Sequence, residues 1–179
     1  KGKIILKVED AGKAYYMNPL TEKVHYLGRT DDAFRVMREQ GLGITNANLY
    51  KIPVGIKSEG SDSDGDGLPD NLEEALGLDQ NKSETDRYGY SDQTESENEY
   101  SPWGEGKQEI DKNFSDKQKG KIFLQIEKKG EAWYINPEDG KRYFLGRPSD
   151  AFAVMRNLGL GISNNDFNDL TFTEEEGDS

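Results

Sequence analysis

Residues 1–50 align without a gap on residues 119–168, and about half of the paired positions are identical. The runs KGKIILKVEDAGKAYYMNPLTEKVHYLGRTDDAFRVMREQGLGITN and KGKIFLQIEKKGEAWYINPEDGKRYFLGRPSDAFAVMRNLGLGISN are two copies of one unit. The fold must therefore contain one small structure twice. A unit of about fifty residues lies near the lower limit for independent folding, so packing of the copies on each other or on the segment between them would help.

Each copy has the pattern of a meander followed by a helix. Ile4, Leu6 and Val8 alternate with Lys3, Ile5 and Lys7, the period of a half-buried strand. Asp10-Ala11-Gly12, or Lys128-Lys129-Gly130, turns the chain into an aromatic-rich strand, Ala14 to Asn18 in the first copy. Asn18-Pro19 and Asn136-Pro137-Glu138-Asp139-Gly140 turn it again, into a third strand from Val24 to Leu27. A helix follows, capped at Asp31 or Ser149, with Ala33, Phe34, Val36 and Met37 on its apolar face and Gly41 at its end. Its second copy runs from Asp150 to Leu158 and stops at Gly159. Phe34 and Phe152 are expected in the core beneath these helices. The run LGLGI adds an apolar strap, and Thr45 or Ser163 caps a last short helix. The expected fold class is α+β: two homologous small modules, each a three-stranded antiparallel sheet plus a helix, joined by a calcium-binding loop segment.

That segment begins DSDGDGLPDNLE, residues 62–73. Asp62, Asp64, Asp66, Asp70 and Glu73 fall at positions one, three, five, nine and twelve, with Gly67 at six, the EF-hand pattern. A hard cation takes about six to eight oxygens, so alternate side chains must curl around one centre. Leu68 offers its backbone carbonyl at position seven, Asp70 binds through a water, and Glu73 closes the shell with both oxygens. Without a cation the carboxylates repel, so the loop is expected to order with metal. Magnesium suits so flexible an all-protein cage poorly. The competing reading is an acidic, Ser/Gly-rich linker. The run VGIKSEGS before the loop is not helical, whereas LPDNLEEALG after it makes a short helix, capped at Asp70 and ended by Gly77.

A loop with only the exiting helix resembles the thrombospondin type 3 calcium repeats of bacterial surface proteins, over residues 61–100. The resemblance implies a second loop, with Glu84, Asp86, Tyr88, Gly89, Tyr90, Asp92 and Glu95 at positions one, three, five, six, seven, nine and twelve. It departs from the pattern at Glu84 and at Tyr88, which leaves a backbone carbonyl or a water at position five. Asp79 and Asn81 are further oxygen donors nearby. The hairpin strings GKAYYMNP and GEAWYINPEDGKRYF are similar in part to the WW domain and in part to choline-binding wall repeats. The whole module more closely resembles a repeat that accompanies thrombospondin-like calcium segments in bacterial surface proteins.

The net charge of −12 argues against nucleic acid and anionic membranes as partners. No stretch is long and apolar enough for membrane insertion, and none reads as a signal peptide, so a secreted protein is expected here in mature or trimmed form. The absence of Cys excludes disulfides, thiolate metal sites and Cys nucleophiles. His25 is the sole histidine, and Tyr143 stands in its place in the second copy, so a role shared by both copies does not need it. No enzyme activity is expected. Tyr15 with Arg29, and Trp133 with Arg147, could stack and hydrogen-bond a sugar or peptide. Alternatively the rings fill a core while Arg29 pairs with Asp32 and Arg147 with Asp150. Tyr100 and Trp103 are expected to pack on a module, and residues 107–114 to form a connecting helix.

The expected organisation is a first module at 1–57, a calcium segment at 58–106, a connector at 107–118, a second module at 119–170 and an acidic tail at 171–179. The expected role is a non-enzymatic extracellular or cell-surface protein, structural or adhesive, in which Ca²⁺ rigidifies the spacer between modules. The alternatives are a self-assembling subunit of an extracellular fibre or surface layer, and a surface receptor for a glycan or peptide. Calcium, self-association and a cell-wall component are the partners these readings name.

Overall fold

The computed structural model describes residues 1–57, 59–170 and 173–174. The first copy supplies β1 (Ile4–Lys7), β2 (Lys13–Met17), β3 (Lys23–Tyr26), α1 (Thr30–Glu39), β4 (Leu42–Ile44) and α2 (Asn46–Leu49). The intervening segment contains α3 (Asp70–Leu76), α4 (Asp92–Glu97) and α5 (Lys112–Gln118). The second copy supplies β5 (Ile122–Gln125), β6 (Ala132–Ile135), β7 (Arg142–Phe144), α6 (Pro148–Leu158), β8 (Leu160–Ile162) and α7 (Asn164–Asn168), and β9 (Thr173–Glu174) follows. The fold is α+β. Of the expected acidic tail, only β9 lies within the described residues.

The two copies are interleaved. Each three-stranded meander forms as its turns dictate, but the GLGI strap of each copy joins the sheet of the other. β8 runs parallel to β1, with Ile5 opposite Leu160, and β4 runs parallel to β5, with Leu42 opposite Phe123. The sheet orders are β8-β1-β2-β3-β9 and β4-β5-β6-β7. Each exchanged strand closes an edge that an isolated fifty-residue module would leave with unpaired N–H and C=O groups. The intervening segment therefore does not hold the modules apart, because they are paired strand to strand.

The core between them is shared. Ile4, Tyr16, Leu27, Ala33 and Met37 meet Ile122, Tyr134, Leu145, Ala151 and Val154 in one buried cluster, with α1 against α6. The Tyr16 hydroxyl donates to Gly120 O at 2.7 Å and the Tyr134 hydroxyl to Gly2 O at 2.8 Å. Their rings meet edge to face at 6.4 Å. Burial pushes both phenols well above the ordinary tyrosine range.

Several local expectations change for identifiable reasons. Ile5 is buried as well as Ile4, while Val8 is exposed, because both faces of β1 are covered at one end. The helices start earlier than expected, with Arg29 and Arg147 as their N-cap residues. Asp32 and Asp150 reach back to the N–H of those arginines at 3.4 and 2.8 Å, so the third helical residue does the capping. Gly41 follows an αR residue, Gln40, and is not a left-handed cap. A Cβ there would lie 2.7 Å from Leu124 Cγ, so glycine serves the close approach of the copies. Phe34 is half-buried and Phe152 is 40 % exposed, each beneath an arginine, Arg38 or Arg156. The small residues Ala33 and Ala151 instead take the α1–α6 contact. The connector helix begins at Lys112, because Asp111 caps it by accepting from Phe114 N at 3.0 Å.

Candidate metal centre

The outer face of the second sheet positions the acidic segment. Phe123, Trp133, Ile135 and Phe144 line that face and pack with Leu68, Leu72, Ala75, Leu76 and Leu78. Leu72, Ala75 and Leu76 share one face of α3, as their spacing requires. Burying a leucine side chain contributes about 1.5–3 kcal/mol, so Leu68, Leu72 and Leu76 together oppose the repulsion within the acidic loop. Gly77 ends α3 in the left-handed conformation. Trp103 Nε1 donates to Leu76 O at 2.9 Å while its ring meets Tyr50 at 5.6 Å, which ties the far end of the segment to α2.

The first loop is shaped by its own carboxylates. Asp62 accepts from Gly65 N at 2.7 Å and from Gly67 N at 3.0 Å. Asp64 accepts from Asp66 N, and Asp66 from Leu68 N. Asp70 accepts from both the backbone and the hydroxyl of Ser63, at 2.7 and 2.9 Å. Gly67 has φ +103°, as a turn at position six demands. Oxygens of Asp62, Asp64 and Asp66 lie within 4.8 Å of one another, and this triad could hold a metal ion. Asp70 is the first residue of α3 and Pro69 is the N-cap, so the carboxylate expected to cap the helix turns back to the loop.

The second loop repeats this geometry despite its altered sequence. Thr85 donates from backbone and hydroxyl to Asp92, at 2.9 and 2.7 Å, as Ser63 does to Asp70. Gly89 N donates to Glu84 as Gly67 N does to Asp62, and Tyr88 N donates to Asp86 at 3.0 Å. Asp70 N reaches Ser61 O and Asp92 N reaches Ser83 O, closing both loops alike. The two loops touch where Asp66 Oδ2 accepts from Gln93 N at 3.0 Å.

Certain oxygens in this frame are left without a hydrogen bond. Asp64 Oδ2, Asp86 Oδ2, both oxygens of Glu73 and Glu95 Oε2 are buried and have no partner among the described residues. They belong to positions three and twelve of the two loops. Glu73 is 0 % exposed. Burial, then the neighbouring carboxylates Asp64, Asp66, Asp92 and Asp70, push it up to about 8. Burial, with Asp86, Asp92 and Glu84, pushes Glu95 up to about 7. Asp64 and Asp92 are raised for the same first cause, burial. Buried carboxyls without partners are costly, and a cation supplies what they lack. Leu68 and Tyr90 stand at position seven, where the pattern uses the main chain; Leu68 is buried and Tyr90 exposed. Asp79 pairs with Lys82 and stands outside the Asp62–Asp64–Asp66 triad.

The position suggested for a sugar or peptide is covered in the second copy. Trp133 is 0 % exposed beneath the loop segment. Arg147 engages Asp150 and donates to Glu59 O at 3.3 Å. Tyr15 meets Tyr26 at 5.3 Å and Phe167 at 4.7 Å in tilted ring contacts, while Arg29 is exposed at the start of α1. The hydroxyls at position two and the Gln93–Asp66 link were missed from sequence. Ser63 and Thr85 at matching places were the available signal. Sequence reading also missed Arg142, 0 % exposed between Trp133 and Tyr50, which desolvation lowers to about 9.

Comparison with protein-family models, curated proteins and solved structures finds no match to this chain.

Proposed function

We propose that this chain is a non-enzymatic, extracellular, calcium-binding cell-surface protein with a structural or adhesive role, its two loops each taking one Ca²⁺. One observation carries the reading: in both loops, carboxylate oxygens at positions three and twelve are buried without a hydrogen-bond partner among the described residues. In the first loop Asp62, Asp64, Asp66, Leu68 O, Asp70 and Glu73 would hold the ion. In the second the set is Glu84, Asp86, Asp92, Glu95 and the carbonyls of Tyr88 and Tyr90. Oxygen donors without nitrogen or sulfur suit a hard cation, and the number of donors suits calcium better than magnesium. The resemblance to thrombospondin type 3 repeats supports the same choice.

Calcium acts in this reading as a fastener. It removes carboxylate repulsion and lets residues 59–98 keep their leucines on the second sheet. Extracellular modules bind calcium at about 10⁻⁴–10⁻³ M, and that range is expected here. Calorimetry of the whole chain tests the proposal. Two bound ions in that range support it, whereas no calcium heat overturns it, and sub-micromolar affinity overturns the extracellular assignment.

A further inference from the structure

The repeat gives both sheets the same outer face, but a loop segment covers only the second among the described residues. Trp133, Ile135 and Phe144 are buried there beneath Leu68, Leu72 and Leu76. Their counterparts on the first sheet are Tyr15, Met17 and Tyr26, which share a face because Tyr15 pairs with Tyr26 and Met17 with Val24. Tyr15 and Met17 are half-buried, and Tyr26 is 53 % exposed where Phe144 is 5 %. Phe167 of α7 covers part of this face, over Ile5 and Val24, as Leu49 of α2 covers the other.

The polar anchors of the covered face are repeated too. Arg147 reaches Glu59 O, and Asn71 Nδ2 donates to Asp150 Oδ2 at 2.9 Å, which leaves Asp150 fully buried. The counterparts Arg29 and Asp32 stand exposed in the same helix-start geometry. Lys128 and Lys129, which reach Ala75 O and Glu74, correspond to Asp10 and Ala11, so one pair of anchors is not repeated.

We propose that the outer face of the first sheet, centred on Tyr26 with Arg29 and Asp32 at its end, docks a second acidic loop segment of the kind found at residues 59–98. Leucines spaced like Leu68, Leu72 and Leu76 pack on Tyr15, Met17 and Tyr26. Arg29 takes a main-chain carbonyl before the loop, and Asp32 takes an amide from the first turn of its helix. The internal symmetry of the fold identifies the occupant, since α2 and α7 correspond to each other and the described segment that lies beside α2 on the equivalent face is of this kind. The lysine pair being absent, the docked segment is held by fewer polar contacts than its counterpart.

Hydrogen exchange of the full chain tests this, with and without a peptide of residues 59–98, in millimolar calcium and again in chelator. Saturable slowing by at least about tenfold across residues 23–33 is expected, kept by Tyr26→Phe and abolished by Tyr26→Glu. No slowing, or slowing that survives Tyr26→Glu, overturns the proposal. Slowing without peptide that grows with protein concentration also overturns it, and gives the face to a second copy of the chain. A separate calcium titration reads the ion sites, so docking without calcium heat sinks the calcium reading alone, and calcium heat without docking sinks this one.

Discussion

Gly2 and Gly120 meet backbone to backbone across the axis relating the two copies. A Cβ on Gly2 would lie 2.3 Å from Gly120 Cα, and one on Gly120 would lie 2.4 Å from Gly2 Cα. Both have positive φ, +75° and +80°. Their carbonyls receive the hydroxyls of Tyr134 and Tyr16. Gly2→Ala or Gly120→Ala should therefore destabilise by about 1–3 kcal/mol from backbone strain, with the clash added. Gly12→Ala is the control, since it has φ +70° and open space around it. Thermal unfolding should fall further for the first two, and equal losses in all three would remove the contact from the explanation.

Glu73→Gln should abolish binding at the first loop, and Glu95→Gln at the second. Each exchange keeps the shape and removes a charge the cation needs. Calorimetry should count two ions in the parent chain and one in each variant. Asp66→Ala should also silence the first loop, and it should weaken the second by removing the acceptor of Gln93 N. A parent-like isotherm from Glu73→Gln would assign the buried carboxyls to packing alone.

The raised carboxyls set a pH dependence. Without metal, Glu73 and Glu95 titrate near 8 and 7, against 4.5 when unfolded. The native chain then holds more protons than the unfolded chain between those values, so its stability falls as the pH rises across that window. Calcium should cancel the fall by taking the place of the protons. Binding near pH 6.5 should accordingly release protons, seen as heats that vary with the ionisation enthalpy of the buffer. Buffer-independent heats would mean the carboxylates are already ionised.

Chelation should loosen the segment and spare the modules. Strand exchange fixes the two copies to each other directly, so a change in their separation, the outcome a spacer would give, is not expected. X-ray scattering with and without chelator should show the segment expanding around a constant core. Hydrogen exchange should rise at residues 59–98 while β2 and β6 stay protected. A large increase in the distance between the copies would restore the spacer.

Leu72→Ala removes a fully buried side chain from the seam between α3 and the second sheet. It should cost about 2–5 kcal/mol and lower calcium affinity, because the loop and its docking helix are one segment. Urea denaturation and calorimetry measure the two effects. Lost stability with unchanged affinity would separate docking from metal binding.

Local pattern was enough to place the meanders, the helices and the first loop. The period of two between Ile4 and Leu6, the turn at Asn136 to Gly140 and the spacing Asp62, Asp64, Asp66, Glu73 each act within a few residues. The α+β class followed from them. The exchange of β4 and β8 could not be read that way, because GLGI is identical in the two copies and either sheet edge accepts it. Only the closeness of the copies at Gly2, Gly41 and Gly120 decides which edge is filled. The same holds for Phe152, whose apolar side chain suits a core that the α1–α6 contact gives to Ala151. It holds too for Trp133 and Tyr15, which occupy one sequence position and differ in burial because a single loop segment lies on one sheet. Chemical character is local to a residue, but burial is a property of what arrives from elsewhere in the chain.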